Sequence, residues 1–260
     1  MTHITDAPET LFRQAMEAPL TPEGEIAARQ AIQAVMNDLL ARRDLKYDPR
    51  LRNMLLACRL RLRALQNIIL CAREEADFLA RPCELREYAQ DLCAAANILL
   101  TPLGRQVRFA APEAPMECPC APRDIAWLLL ELICNSALHC PGEEIAVSLE
   151  PAPRGRGRAR ACTLAVECEG SLDLSALHAA GQRTGSGVAA MQRIAWLHHG
   201  ALLWLERDGK SIAVFRIAGR MDSRLTDRYD APDCVEFLSD PCSPVYIALA
   251  PALGGLMGGL

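Results

Sequence analysis

A heptad repeat of apolar residues between Leu51 and Leu79 is the feature that most constrains how this chain folds. Alternating steps of four and three residues join Leu51, Leu55, Cys58, Leu62, Leu65, Ile69, Ala72, Ala76 and Leu79. This period places them along one side of a helix, and it is typical of a helix that packs lengthwise against other helices. A shorter pattern over residues 22–43 predicts a second helix that starts at Thr21-Pro22. Together the two patterns predict a helical hairpin.

Two helices cannot bury such a seam of apolar residues by themselves. The pattern therefore predicts that the hairpin dimerises through residues 22–80 into a four-helix bundle. The alternative is intramolecular: a short N-terminal helix, predicted over residues 9–17, covers part of the seam.

The pattern changes after Arg81-Pro82 from one long helix to alternating elements. Helices are predicted over residues 84–100, 123–140 and 188–199, and strands over residues 106–110, 144–150, 161–167, 202–206 and 211–217. A glycine- and arginine-rich turn at residues 154–158 joins the second and third strands. This mixed order predicts an α+β sandwich with helices on one face of a largely antiparallel sheet. Residues 220–260 are weakly patterned, with 235–238 and 245–249 as candidates for extra strands or a partner-docking tail.

Charge and the two chain ends argue against several classes of protein. The net charge of −4 does not favour general nucleic-acid binding, which needs a basic surface. The first residues lack the basic and apolar regions of a secretory signal. The apolar stretch 245–260 is too short to span a bilayer and is broken by Pro251. We therefore expect a cytoplasmic protein without a membrane span.

The twelve cysteines show no repeated spacing. Several lie inside apolar runs, and a cytosolic protein would keep them reduced, as small hydrophobic residues of the core. The close pair Cys118-Pro-Cys120 has no second pair at zinc-finger spacing, so we do not expect a metal there.

The helix predicted over residues 123–140 is apolar except for a polar stripe. Glu131, Asn135 and His139 recur every fourth residue and so lie along one face. Buried polar groups need partners, and a metal bound to phosphate would supply them, since an amide oxygen and a carboxylate suit Mg²⁺. The alternative is that the stripe faces solvent.

A second candidate site is a loop that contains Gly181, Gly185 and Gly187 and leads into the next helix. Glycines at the start of a helix let backbone N–H groups approach phosphates, and the helix dipole adds attraction. Such a loop alone is weak evidence, but it follows the polar helix by some fifty residues.

The two segments together resemble the ATP-binding domain of sensor histidine kinases, which shares its GHKL fold with gyrase, Hsp90 and MutL. Residues 131–139 resemble the family's N-box, and residues 185–191 resemble its second glycine box. The predicted hairpin stands where the family has its dimerisation helices. The resemblance covers residues 22–219 and implies a hairpin over 22–80 and an ATP-binding domain over 81–219, with an arm before them and a tail of unknown role after them.

The resemblance implies ATP and Mg²⁺ as ligands and a role for each motif residue. Asn135 would ligate Mg²⁺, Glu131 would hold the metal or its water as the catalytic residue, and His139 would approach the phosphates. The loop and adenine-side residues have implied roles too: Gly185, Ser186 and Gly187 at the phosphates, Arg183 and Thr184 at the base of a mobile lid, and Ser211 near adenine.

The box that grips adenine departs from the family pattern Asp-x-Gly-x-Gly. Cys168 takes the aspartate position and only Gly170 is retained, although a slip of one residue would let Glu169 accept the adenine amino proton. In the later box Ala189 replaces the third glycine, and the region between the boxes is short, so any lid is small.

The hairpin departs further from the family pattern, because residues 22–80 contain no histidine to attack the γ-phosphate. The sequence therefore predicts an ATP-binding, histidine-kinase-like signalling protein that does not phosphorylate its own hairpin. It would act as a dimeric scaffold or in phosphotransfer to a partner protein. The alternatives are a slow ATPase in which Glu131 positions water, and a nucleotide-free pseudokinase that works through its helical surfaces.

Overall fold

The computed structural model describes residues 7–21, 23–152, 161–171, 173–218 and 227–257. Pro22 and the turn over residues 154–158 lie outside the described residues, as does part of the predicted tail. None of the described helices is long and apolar enough to cross a membrane.

Three helices form the N-terminal part: α1 (Ala7–Glu17), α2 (Glu25–Ala41) and α3 (Pro49–Ala72). Helix α3 begins where the side chain of Asp48 accepts a hydrogen bond from the Arg50 N–H, with proline at the first helical position. It ends at Ala72, so the prediction of a helix continuing to Leu79 is wrong. The carbonyl of Arg73 turns away from the helix and accepts hydrogen bonds from Arg193.

The predicted seam is buried within its own chain from Leu51 to Leu65, whereas Ala72, Ala76 and Leu79 are exposed. Cys58 and Leu65 have no exposed surface and Leu62 is 3% exposed. Helix α3 packs against α2 and α1, and on its other side against the body of the protein. The structure thus shows the intramolecular alternative for the part of the seam over residues 51–65.

The sheet of the α+β domain has five strands in the order β2-β4-β5-β7-β6. They are β2 (Gln106–Ala110), β4 (Glu144–Pro151), β5 (Cys162–Glu169), β6 (Ala201–Arg207) and β7 (Lys210–Ile217). Only β2 and β4 pair in parallel, and the other neighbours are antiparallel. The predicted sandwich is confirmed. Two short strands were not predicted, β1 (Arg81–Glu84) and β3 (Glu117–Cys120), which form a separate antiparallel pair.

Helices cover one face of this sheet: α4 (Leu85–Leu100), α5 (Pro122–His139) and α7 (Gly187–Leu197). Ile145, Val147 and Leu149 of β4 alternate with half-exposed residues and point into the common core. Helix α5 is buried nearly throughout, so its position is fixed by packing on several sides. The glycine-bearing loop predicted after β5 contains a further helix, α6 (Leu174–Gly181).

The C-terminal segment forms three helices: α8 (Cys234–Ser239), α9 (Pro244–Ala248) and α10 (Ala250–Met257). The strands predicted over residues 235–238 and 245–249 are therefore wrong. Asp233 and Glu236 form a capping box that starts α8, and Pro244 occupies the first turn of α9, which are helix-start signals. Val245 and Ala248 are buried where α9 packs against α3 and α5. The segment thus holds the hairpin helix against the sandwich.

Candidate functional site

A cavity of about 490 Å³ opens between the end of α5, the neighbouring strands β5 and β7, and helix α6. It brings together four of the predicted site residues, Asn135, His139, Arg183 and Ser211. Its volume lies in the range of small-molecule sites in proteins, roughly 300–1,000 Å³.

The last two turns of α5 form one wall. Asn135 and Ser136 are half-buried and His139 is exposed, all lining the cavity. Across from them Ser211 of β7 is 4% exposed and donates a hydrogen bond from Oγ to the Gly170 carbonyl at 2.7 Å. The wall from α5 thus offers an amide and an imidazole, and the wall from the sheet offers a hydroxyl.

Helix α6, of eight residues, closes the third side. Asp173 caps its N-terminus, accepting a hydrogen bond from the Ala176 N–H at 2.9 Å, and also lines the cavity. Leu177 and Ala180 face the cavity from the same helix, and Arg183 follows its end. Asp173 lines the candidate site and is not among the residues that the sequence motifs predict. An aspartate just before a short apolar run is an N-cap signal that could have revealed it.

Glu131 does not line this cavity. It has no exposed surface, and the Arg63 guanidinium donates to both of its oxygens, Nε to Oε1 at 2.7 Å and Nη2 to Oε2 at 2.5 Å. Burial raises the pKa of the Glu131 carboxyl, and Arg63 offsets part of that rise. The predicted polar stripe on α5 is therefore divided: its first residue binds the hairpin, and its last two face the cavity.

Gly185 and Gly187 of the glycine loop contact the hairpin and do not line the cavity. Gly185 has a φ of 83°, and a Cβ there would lie 2.9 Å from Cγ1 of Ile68. A Cβ on Gly187 would overlap the Glu131 carboxylate and lie 3.2 Å from Arg63 Nη2. These glycines thus allow α3 to approach the start of α7 closely.

The other predicted residues of this region lie beside the cavity. Ser186 caps α7, with Oγ accepting from the Ala189 N–H at 3.0 Å, and Thr184 is exposed. Glu169 is also exposed at the end of β5 and does not line the cavity. Gly170 follows with a φ of 121°, and its carbonyl holds Ser211 in place.

Cys140 and Cys168 are joined by a disulfide, with Cα atoms 6.3 Å apart. The expectation that all cysteines are thiols is therefore wrong for this pair. Both residues line the cavity, Cys140 at the end of α5 and Cys168 on β5. Cys168, which replaces the expected aspartate, is thus in the wall near Ser211, its register partner on β7.

A magnesium ion would need ligand phosphates to complete its coordination here. Within the described ranges no group of three or more His, Cys, Asp or Glu side chains is placed to hold a metal. The cavity does offer oxygen donors from Asn135 and Asp173. That donor set fits Mg²⁺, which usually keeps several waters and binds one or two side chains together with substrate phosphates.

A larger cavity, of about 1070 Å³, lies between the hairpin, the start of α5 and the C-terminal helices. It is lined by none of the predicted site residues. Two of its three arginines, Arg29 and Arg73, are paired with Glu25 and Asp124.

No family model and no curated protein matches this sequence. Solved structures do. The histidine kinase AdeS of Acinetobacter baumannii superposes with a TM-score of 0.52 at 16% identity, over 75% of this chain and 94% of AdeS. Full-length ShkA in complex with AMPPNP gives 0.56 at 14% identity, over 77% of this chain and 47% of ShkA. The chain therefore has a histidine-kinase-like fold.

Proposed function

We propose that this chain is a nucleotide-binding signalling protein that holds ATP in the cavity beside α5 and does not phosphorylate its own hairpin. One observation carries the proposal. In a histidine-kinase-like fold, Asn135, His139, Arg183 and Ser211 all line a single cavity of about 490 Å³.

Each wall of the cavity suits a different part of the nucleotide. The cationic Arg183 and the His139 imidazole suit the phosphates, because both donate hydrogen bonds to anionic oxygens. Asn135 and Asp173 would hold Mg²⁺, which neutralises phosphate charge when bound. Apolar side chains such as Val166 complete the lining on the sheet side, where a base would pack near the Ser211 hydroxyl.

A scaffold role is favoured over hydrolysis. The slow-ATPase alternative needs Glu131 to position water, but both of its oxygens are bonded to Arg63 in the core. Helix α3 is held to α5 at two further points: Asn67 accepts from Trp127 Nε1 at 2.9 Å, and Arg73 donates to Asp124 at 2.7 and 2.8 Å. A helix held in this way is better suited to present a fixed surface to a partner protein than to act as the segment that is phosphorylated.

A nucleotide-free pseudokinase is the second candidate. The observation that favours it is in the glycine loop. Ile68 and the Arg63–Glu131 pair already occupy the space beside Gly185 and Gly187 where phosphates would bind. In that case the four polar residues of the cavity would bind a different ligand or only water.

A homodimer through the hairpin, a signalling partner and a cytoplasmic location stay predictions. Since the seam is buried over residues 51–65, a dimer would use the outer side of the helices, where Ile26 is 72% and Leu60 is 39% exposed.

Replacing Asn135 with alanine should abolish most of the stabilisation by Mg²⁺–ATP. A ligand at a hundred times its Kd stabilises by about 2.7 kcal/mol, which corresponds to a Tm increase of roughly 5–11 °C in a protein of this size. The thermal-shift titration should show this increase for the native chain and for Asn53→Ala, an exposed asparagine on α3. An equal increase for Asn135→Ala would contradict the site, and no increase for the native chain would favour the pseudokinase.

Incubated with γ-labelled ATP, the protein should retain no acid-labile phosphate on its hairpin. Phosphohistidine needs an imidazole nucleophile, which residues 22–80 lack. Acid stability of the label and phosphopeptide mapping measure this directly. His3, outside the described residues, is the one candidate to replace the missing phosphoacceptor histidine. Label that disappears in His3→Ala would show that the protein phosphorylates itself there.

A further inference from the structure

We propose that Cys140 and Cys168 are a redox-active pair that small thiols and disulfides convert between a disulfide and two thiols, and that its state sets the affinity of the cavity. The first part stands independently of the ligand. The second part rests on the proposed nucleotide function.

The position of the pair makes it reachable. Both cysteines are nearly buried, at 7% and 4% exposure, but both line the open cavity of about 490 Å³. A small thiol can enter such a space, whereas a folded protein cannot. The Cα separation of 6.3 Å lies in the usual range for a disulfide, roughly 4.4–6.8 Å.

Two other cysteines of the core, Cys58 and Cys134, cannot be reached from a cavity in this way. Cys58 and Cys134 are fully buried and line neither cavity described above. Burial raises the pKa of each thiol to about 12, which leaves almost no reactive thiolate at neutral pH. They serve as internal controls for a reaction confined to the cavity.

The exchange needs only a low-molecular-weight thiol such as glutathione. Its thiolate attacks Cys140 Sγ, the Sγ–Sγ bond breaks, and Cys168 leaves as a thiolate. Cys168 is the better leaving group because Cys140 follows the C-terminus of α5, where the helix dipole disfavours negative charge. A second glutathione thiolate then attacks the glutathione sulfur of the mixed disulfide, which releases Cys140 as a thiolate and forms oxidised glutathione. Two electrons pass to the protein, and both cysteine thiolates take protons from water.

Oxidation fixes the two main walls of the cavity relative to each other. Cys140 is the residue after His139 on the wall that carries Asn135, and Cys168 is on the strand that pairs with Ser211. Reduction removes this cross-link and lets the end of α5 move away from β5. Preorganised sites bind more tightly because less ordering is needed, so the oxidised form should bind Mg²⁺–ATP roughly threefold to tenfold more tightly.

The native protein is equilibrated in glutathione buffers of increasing reduced-to-oxidised ratio, quenched with acid, alkylated and analysed by mass spectrometry. The alkylated fractions of the peptides with Cys140 and Cys168 should rise together in one two-electron transition, while Cys58 and Cys134 are alkylated in every buffer. A Cys168→Ser variant should collect a mixed disulfide of glutathione on Cys140. Hydrogen exchange of residues 136–142 and 164–170 should be faster in the reduced native protein. Mg²⁺–ATP affinity is measured on the oxidised and the reduced native protein. Cys71→Ser, which removes a cysteine that does not line the cavity, is the matched control for Cys168→Ser.

The outcomes separate the two proposals. A redox transition with altered hydrogen exchange, but no ATP binding to either form, supports the redox pair and contradicts the nucleotide function. Equal ATP affinity of the two forms overturns the coupling between the pair and the site. No transition at Cys140 and Cys168 across the buffers, or one shared equally by Cys58 and Cys134, overturns the redox pair itself.

Discussion

Replacing Arg63 with alanine is expected to lower the free energy of unfolding by about 3–5 kcal/mol, since it leaves a buried carboxylate without its partner. Arg63 is the cation that contacts both oxygens of Glu131, a residue with no exposed surface. The Tm should fall by roughly 6–20 °C for a chain of this length. Urea unfolding followed by circular dichroism measures the change.

Two control variants make this test specific. Arg50→Ala removes an ion pair with Glu9 of similar length, 2.7 Å, whose side chains are 70% and 46% exposed, and it should cost less than about 1 kcal/mol. The double variant Arg63→Met, Glu131→Leu removes both charges and should recover much of the loss. If Arg63→Ala costs no more than Arg50→Ala, the pair does not hold the hairpin to the sandwich.

The periodic elements of the sandwich could be predicted because each carries its own local signal. The strand over residues 106–110 is found with its predicted bounds, and the helix of the N-box differs by one residue at each end. The heptad pattern likewise predicted which side of α3 is buried. It could not predict what covers that side, because a period identifies a face and not its partner. The helices α8 and α9 are short and carry little periodicity, which is why the sequence predicted strands over residues 235–238 and 245–249.

The candidate site was predicted in part for a related reason. The spacing of Glu131, Asn135 and His139 correctly places them on one face of α5. Where α3 crosses that face depends on packing between segments 68 residues apart. That crossing takes Glu131 out of the cavity and leaves Asn135 in it. Glycines at positions 185 and 187 would be needed in either case, because a phosphate and a packed helix can each approach the backbone closely only where there is no side chain. The sequence motif therefore does not distinguish the two.

The disulfide lay beyond local sequence patterns as well. Cys140 and Cys168 are 28 residues apart with no motif between them. They meet because β4 and β5 form an antiparallel pair, in which Cys168 lies opposite Ile145, near the end of α5. A pairing of strands, and not a spacing of cysteines, is what brings the two sulfurs together.

Lowering the pH from 7 to 4 is expected to cost about 3 kcal/mol of stability through His198 alone. This imidazole is 1% exposed and packs edge-on to Phe78. Its Nε2 accepts a hydrogen bond from the Ala121 N–H at 3.1 Å, and Nδ1 lies 2.8 Å from the Ile194 carbonyl, so the proton belongs on Nδ1. A second proton on Nε2 would face the Ala121 N–H.

Burial is the main cause that lowers the pKa of His198 from 6.5 to about 4, with smaller contributions from Arg73 and His199. The unfolded chain therefore takes up this proton near pH 6.5, and the folded chain only near pH 4. The stabilisation is complete above pH 6.5 and is lost as the pH falls through that interval. Chemical unfolding at half-unit pH steps should show the slope in the native chain and in His178→Gln, whose histidine is exposed on α6. His198→Gln should be less stable at pH 7 but show a flatter dependence between pH 6.5 and 5, and an unchanged slope in that variant would assign the pH dependence to other groups.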